Sequence, residues 1–184
     1  EGGRVARLRP PVVASYPPAN AYYELYLQDK EKAQQAAYLG GYLLAADLHD
    51  LGINVNCAPV LDLHIAGMSQ IIGDRAFGMD VASITSLARA FVKGQHEAGV
   101  LSVGKHLPGH GRARVDSHVE LPVVTTPWEA LSASDFAVFK AFADLPMGMT
   151  GHLLFRDIDP DHVSTFSAKV LHEVIRQEIG FNGL

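Results

Sequence analysis

The sequence predicts an α/β fold on a parallel sheet, and within that class part of a (β/α)8 TIM barrel. Two observations predict the sheet. Short, apolar, β-branched-rich runs alternate with amphipathic helical runs, and no shift in composition divides the chain. A third observation predicts the barrel. Asp62 with His64, Lys105 with His106, and His152 each fall at the C-terminal end of an expected strand, the face on which such barrels carry their chemistry. A complete barrel takes roughly 250 residues, so 184 residues supply only part of one.

The first element is a loop: "RPPVVASYPPAN" is punctuated by prolines, and Asn20 suits the N-cap of a helix beginning at Ala21. From Ala21 to about Asp50, Leu25, Ala33, Ala36, Ala37, Leu44 and Leu48 recur at helical spacing, with Gly52 as the stop. "INVNCAPVLDLH" reads as a buried strand, and "MSQIIGDRAFGMD" as a loop. Residues 82–98 predict a second helix with Leu87, Ala88, Phe91 and Val92 inward. The cycle then repeats: "GVLSVGKH" a strand, "TPWEALSASDFAVFKAFAD" a helix, "PMGMTGH" a strand, and "SAKVLHEVIRQEIG" a helix closed by Gly180.

Composition narrows the function. Apolar residues make up 48% of the chain, enough for one real core, and the formal charge of −5 favours neither nucleic acid nor an anionic membrane as partner. One cysteine, Cys57, cannot form an internal disulfide, so a reducing compartment is the simpler expectation. No run reaches the length of a membrane span. The opening Glu1-Gly2-Gly3 and the closing "EIGFNGL" both read as cuts, so residues 1–184 are expected to be a single partial domain, interior to a longer protein.

Ionisable chemistry concentrates in "GKHLPGHGRARVDSHVELP". His106, His110 and His118 with Asp116 have the ligand types of a zinc site and leave a metal-dependent hydrolase open. Against that, Pro108 and Gly109 keep a helix from aligning the first two rings, and Lys105, Arg112 and Arg114 would oppose a dication. A solvated polar loop is the plainer alternative.

The same segment resembles the K-H-F-P-G-H-G…D-S-H signature of the family-three glycoside hydrolases, in their β-N-acetylglucosaminidase branch. "EGGRVAR" is similar to that branch's D-Q-E-G-G-R-V-x-R, "NVNCAPVLDL" to N-x-N-x-A-P-V-x-D, and "DRAFG" to R-[SA]-F-G. "MTGH" with "IDPDHVSTFS" is similar to M-T-A-H…P-A-T-x-S. These five motifs occur in the family's order and span nearly the whole chain.

The resemblance implies a (β/α)8 barrel and a retaining enzyme that removes terminal β-linked N-acetylglucosamine. The branch's familiar setting is the bacterial cytoplasm, on muropeptides during peptidoglycan recycling, with no cofactor and no metal. It implies His118 as acid/base with Asp116 as its partner, and Arg7, Arg75, Lys105 and His106 as sugar-binding residues. Retention requires a carboxylate nucleophile beside the proton donor. A histidine can be that donor if a neighbouring carboxylate favours its protonated form. The family's nucleophile is the aspartate of an S-D-D motif, expected just beyond Leu184. The aspartate before "EGG" is likewise absent, so this stretch alone is expected to be inactive, or a non-catalytic sugar-binding remnant. The D-S-H segment argues against the β-glucosidase relatives, which take their acid from a second domain.

Each residue has a plainer role in competition. Arg75 would simply cap a helix or pair with Asp74 on the surface. A buried Lys105 needs a partner or a ligand. Asp62 is expected to accept backbone N–H bonds, His110 and His152 to bond locally, and Cys57 to be a small buried apolar residue.

Overall fold

The computed structural model describes residues 1–115 and 120–184. A 3-10 turn at Gly3–Val5 leads to helices α1 (Ala19–Tyr26) and α2 (Lys30–Asp50), then strand β1 (Val55–Asn56). After a second 3-10 turn (Gly73–Arg75) come α3 (Val81–Glu97), β2 (Leu101–Leu107) and β3 (Val123–Val124). The chain continues through α4 (Trp128–Ala133), α5 (Asp135–Lys140), β4 (Met147–Thr150), β5 (Leu154–Phe155) and a closing π-helix, Val170–Ile179.

β1, β2 and β4 form a parallel sheet in that order, each joined to the next by helices. Val55 lies beside Leu101, and Lys105 beside Met149, with a register shift between Lys105 and Leu107. Beyond β4 the chain returns, and the Gly148 N–H donates to the Gly183 carbonyl (2.5 Å). β2 is buried along most of its length, as a central parallel strand must be when both faces are covered. A second, two-stranded parallel sheet pairs β3 with β5, which the sequence pattern does not predict.

The expected helix over 21–50 is broken at Leu27–Asp29. Asp29 causes the break: its side chain accepts the Lys32 N–H (3.1 Å) and caps a new helix, a local bond that outcompetes continuation. Asn20 is not the N-cap. Pro18 holds that position, and the Asn20 amide reaches Glu24 within α1. Ser134 likewise splits the helix expected over 126–144, its hydroxyl within 2.6 Å of the Ala130 carbonyl.

α3 forms where expected, capped by Asp80 on the Ser83 N–H (2.9 Å). It crosses α2 at two glycines. A Cβ on Gly41 would lie 2.2 Å from the Phe91 carbonyl oxygen, and one on Gly94 2.2 Å from that of Tyr38, so only hydrogen permits this approach. The closing helix buries Val170, Val174, Ile175 and Ile179, spaced by four or five residues as a π-helical winding aligns them, and ends at Gly180 with φ +80°. Phe136, Phe139, Phe142, Phe155 and Phe181 are fully buried in the core beneath. Among the described residues no helix is long and apolar enough to cross a membrane.

Candidate active site

An open cleft lies at the C-terminal ends of β1, β2 and β4. Arg7, Asn56, Cys57, Arg75, Lys105, His106, His110 and His152 line it, with Glu1 at its base. Three of the four expected sugar-binding residues meet here from two elements, Arg75 from the second 3-10 turn and Lys105 with His106 from β2. Arg7 stands exposed on the same wall.

Glu1 organises the base. Its carboxylate accepts two bonds from Arg75, Nε to Oε2 (2.8 Å) and Nη2 to Oε1 (2.9 Å), and one contact from Lys105 Nζ (2.5 Å). All three side chains are about nine-tenths buried, at 9% exposure each. Burial pushes the Glu1 carboxyl up, but the Arg75 and Lys105 charges outweigh it and hold the group at about 2. Burial works against the Arg75 guanidinium too, and its pair with Glu1 still leaves it more firmly protonated than usual. The expected pairing of Arg75 with its neighbour is therefore replaced: Asp74 goes to Arg4 (2.7 Å), and Arg75 turns inward. Lys105 has the partner that its burial demanded.

Asp62 is the second organiser, on the segment after β1. Fully buried, it accepts the backbone N–H groups of His106 (3.3 Å) and His110 (2.6 Å), and its Oδ2 lies 2.6 Å from His106 Nδ1. Burial raises the Asp62 carboxyl, yet the His106 charge and these bonds hold it below the ordinary range. Asp62 thus accepts the backbone bonds expected of it, and also fixes the His106 ring. Burial lowers the His110 imidazole, favouring its neutral form. The His106 and His110 rings meet edge to face at 5.6 Å. Among the described residues no three metal-ligating side chains converge.

The loop leaving β2 is pinned along its described length. Gly111 passes so close to the Leu63 backbone that a Cβ would sit 2.3 Å from its carbonyl oxygen. Arg112 Nε donates to Asp135 (2.7 Å) and its Nη2 to Ser134 (2.9 Å), while the Ala113 carbonyl accepts from the Ser69 N–H (2.9 Å). The expected catalytic pair, Asp116 and His118, lies outside the described residues.

Cys57 requires a correction. It is exposed on the cleft wall, because buried Asn56 and Ala58 flank it in strand alternation and turn it outward. Asn56 itself belongs to a buried polar chain, donating to Gln95 (2.6 Å), which in turn donates to Ser102 (2.8 Å). His152 bonds locally, as expected, with Nδ1 3.0 Å from Thr165 Oγ1. Two features escape a reading of the sequence alone: Glu1 as shared partner of two cations, and the Arg112–Asp135 anchor. Two buried cations, one on a 3-10 turn and one on a strand, signal that an anion must exist, but not which one.

A family comparison matches the glycosyl hydrolase family 3 N-terminal domain over residues 1–184. The chain belongs to that family. It is 40% identical over 185 residues to a beta-hexosaminidase of Alkalilimnicola ehrlichii and 37% identical over 186 residues to one of Bordetella pertussis. Each match takes in 100% of this chain and 52% of the relative. The structure superposes on NagZ from Neisseria gonorrhoeae, solved in complex with N-trifluoroacetyl-D-glucosamine, with a TM-score of 0.93 and 33% identity, covering 100% of this chain and 54% of that one. The chain therefore spans about half the length of the relatives it matches, and its fold is the TIM-barrel-like α/β fold over that part.

Proposed function

We propose that the protein carrying this chain is a retaining β-N-acetylhexosaminidase that removes terminal β-linked N-acetylglucosamine, with muropeptides in the cytoplasm as its physiological substrates. The observation that carries this reading is the cleft base, where one carboxylate pairs with both Arg75 and Lys105 and another holds His106 in place. Fixed donors of this kind suit sugar hydroxyls, each of which accepts as well as donates. The beta-hexosaminidase names of the relatives and the sugar derivative bound by the Neisseria protein support the same reading.

In this scheme Lys105, Arg75, His106 and Arg7 orient the sugar. His118, with Asp116 favouring its protonated form, donates a proton to the leaving oxygen, and the neutral ring then accepts one from water. The nucleophile expected beyond Leu184 is not among these residues. Residues 1–184 make up a single partial catalytic domain in this scheme.

The experiment compares the protein with its His118→Ala variant on a GlcNAc disaccharide and on an activated aryl N-acetyl-β-glucosaminide. Loss of the acid should lower kcat/KM by about 100-fold or more on the disaccharide, and far less on the phenolate, which needs little protonation. Equal losses on both would remove His118 from the role of acid. No hydrolysis of either substrate by the unsubstituted protein would remove the function.

A further inference from the structure

Phe166 is 74% exposed, the most exposed large apolar side chain among the described residues, although the segment that carries it is tightly bonded. The Phe166 N–H and the Ser167 N–H both donate to the Val163 carbonyl, at 2.8 Å and 2.9 Å. Ser164, fully buried, donates to the Gly151 carbonyl (2.6 Å), and Thr165 Oγ1 lies 3.0 Å from that same oxygen. Ser167, also fully buried, donates to Asp159 (2.6 Å). A surface phenylalanine on a loose loop needs no explanation. One on a fixed pedestal is different: the chain has already met the ordering cost of holding the ring in place.

The ring's position gives its use. It meets the His152 imidazole edge to face at 6.2 Å, and His152 lines the sugar cleft beside Gly151 and Thr150. Arg75 and Lys105 line that cleft buried, His152 lines it exposed, and Phe166 lies outside the lining itself, against the His152 ring. An enzyme that removes a terminal sugar holds that sugar at the closed end, so the leaving group projects toward the mouth. A pyranose ring has one face made of axial C–H bonds, apolar and slightly positive. The face of a phenylalanine ring is its electrostatic complement.

We propose that Phe166 is the stacking platform for the sugar ring of the leaving group, so that it sets preference for glycoside over simple alkyl aglycones. The inference rests on the glycosidase reading above and deepens it. His152, held by Thr165 on Nδ1, braces the platform.

The test uses the protein carrying this chain, with a GlcNAc disaccharide and 2,2,2-trifluoroethyl N-acetyl-β-glucosaminide, whose leaving group cannot stack. Phe166→Ala should lower the ratio of kcat/KM on the disaccharide to that on the alkyl glycoside by about five-fold, mostly through KM. Phe166→Trp should restore the ratio, and Phe166→Ala should melt within about 2 °C of the unsubstituted protein, since an exposed ring contributes little to the core. An unchanged ratio, no rescue by tryptophan, or a melting loss of several degrees would each overturn the proposal; the last would mean that the ring is packed. If the unsubstituted protein cleaves neither substrate, the glycosidase reading itself fails and the platform falls with it.

Discussion

Replacing Glu1 with glutamine keeps its shape and removes its charge, leaving Arg75 and Lys105 about nine-tenths buried with no anion between them. The size of the effect comes from the carboxyl itself. It is held at about 2, against 4.5 for an ordinary glutamate, so it titrates about 2.5 pH units lower when folded. Each pH unit carries about 1.4 kcal/mol, so the charged form contributes on the order of 3 kcal/mol to folding at neutral pH. Because the folded value is depressed, that contribution is fully present above pH 4.5 and fades as the pH falls from 4.5 toward 2. Breaking a buried pair by deleting one partner costs a comparable ~3–5 kcal/mol.

Urea unfolding of four proteins at pH 7 and pH 3 measures this: the unsubstituted protein, Glu1→Gln, Lys105→Met, and the double variant. Glu1→Gln should lose about 3 kcal/mol at pH 7. Lys105→Met should lose about 1 kcal/mol or less, because Glu1 keeps its two bonds from Arg75. The double variant should be more stable than Glu1→Gln alone, with a coupling of about 2 kcal/mol, since removing the second cation relieves the first substitution. Glu1→Gln should also lack the part of the acid destabilisation that falls between pH 4.5 and 2. A loss under about 1 kcal/mol, strict additivity in the double variant, or an unchanged acid response would refute the account of Glu1 as the organising charge.

Two further predictions concern other parts of the molecule. Asp62→Asn removes the charge that accepts the His106 and His110 N–H groups and faces the His106 ring; stability should fall by about 2 kcal/mol in urea unfolding and kcat/KM by about ten-fold or more. The Asp62 carboxyl is held below its ordinary value, so its contribution is present above pH 3.8 and lost as the pH falls below it, a loss that the asparagine variant should not show. Gly94→Ala would place a Cβ 2.2 Å from the Tyr38 carbonyl oxygen and 2.7 Å from the Tyr42 nitrogen, both rigid backbone; α2 and α3 must separate, at a cost of about 2 kcal/mol read as a fall in melting temperature.

The legibility of each element in the sequence depends on where its determinant lies. α3 is readable because its inward stripe of Leu87, Ala88, Phe91 and Val92 is a local signal, and local signals survive in the tertiary structure. The breaks at Asp29 and Ser134 are local too, but they turn on a single side-chain bond inside an otherwise helical pattern, which periodicity passes over. β3 and β5 were invisible: each pairs over two residues, too short to carry a period, and each exists only because the other lies beside it. In the site, residue types were legible and partnerships were not. Lys105 announced a need for an anion, but its partner is 104 positions away in sequence, and nothing local names it.

That partnership explains why a site for neutral sugars would hold a carboxylate that need not touch them. Arg75 has five N–H donors: two go to Glu1 and one from Nη1 to the Ile71 carbonyl (2.9 Å). Lys105 has three, of which Glu1 takes one. Each cation therefore keeps two donors after the protein's own described needs are met, and both line the cleft. Without Glu1, two desolvated cations would repel with no anion between them. With Glu1, both side chains are fixed at the cleft with donors to spare. Arg7, exposed on the wall and without such a clamp among the described residues, would meet its ordering cost only on binding a ligand. The deep donors should therefore discriminate between sugars, while Arg7 adds affinity with less selectivity.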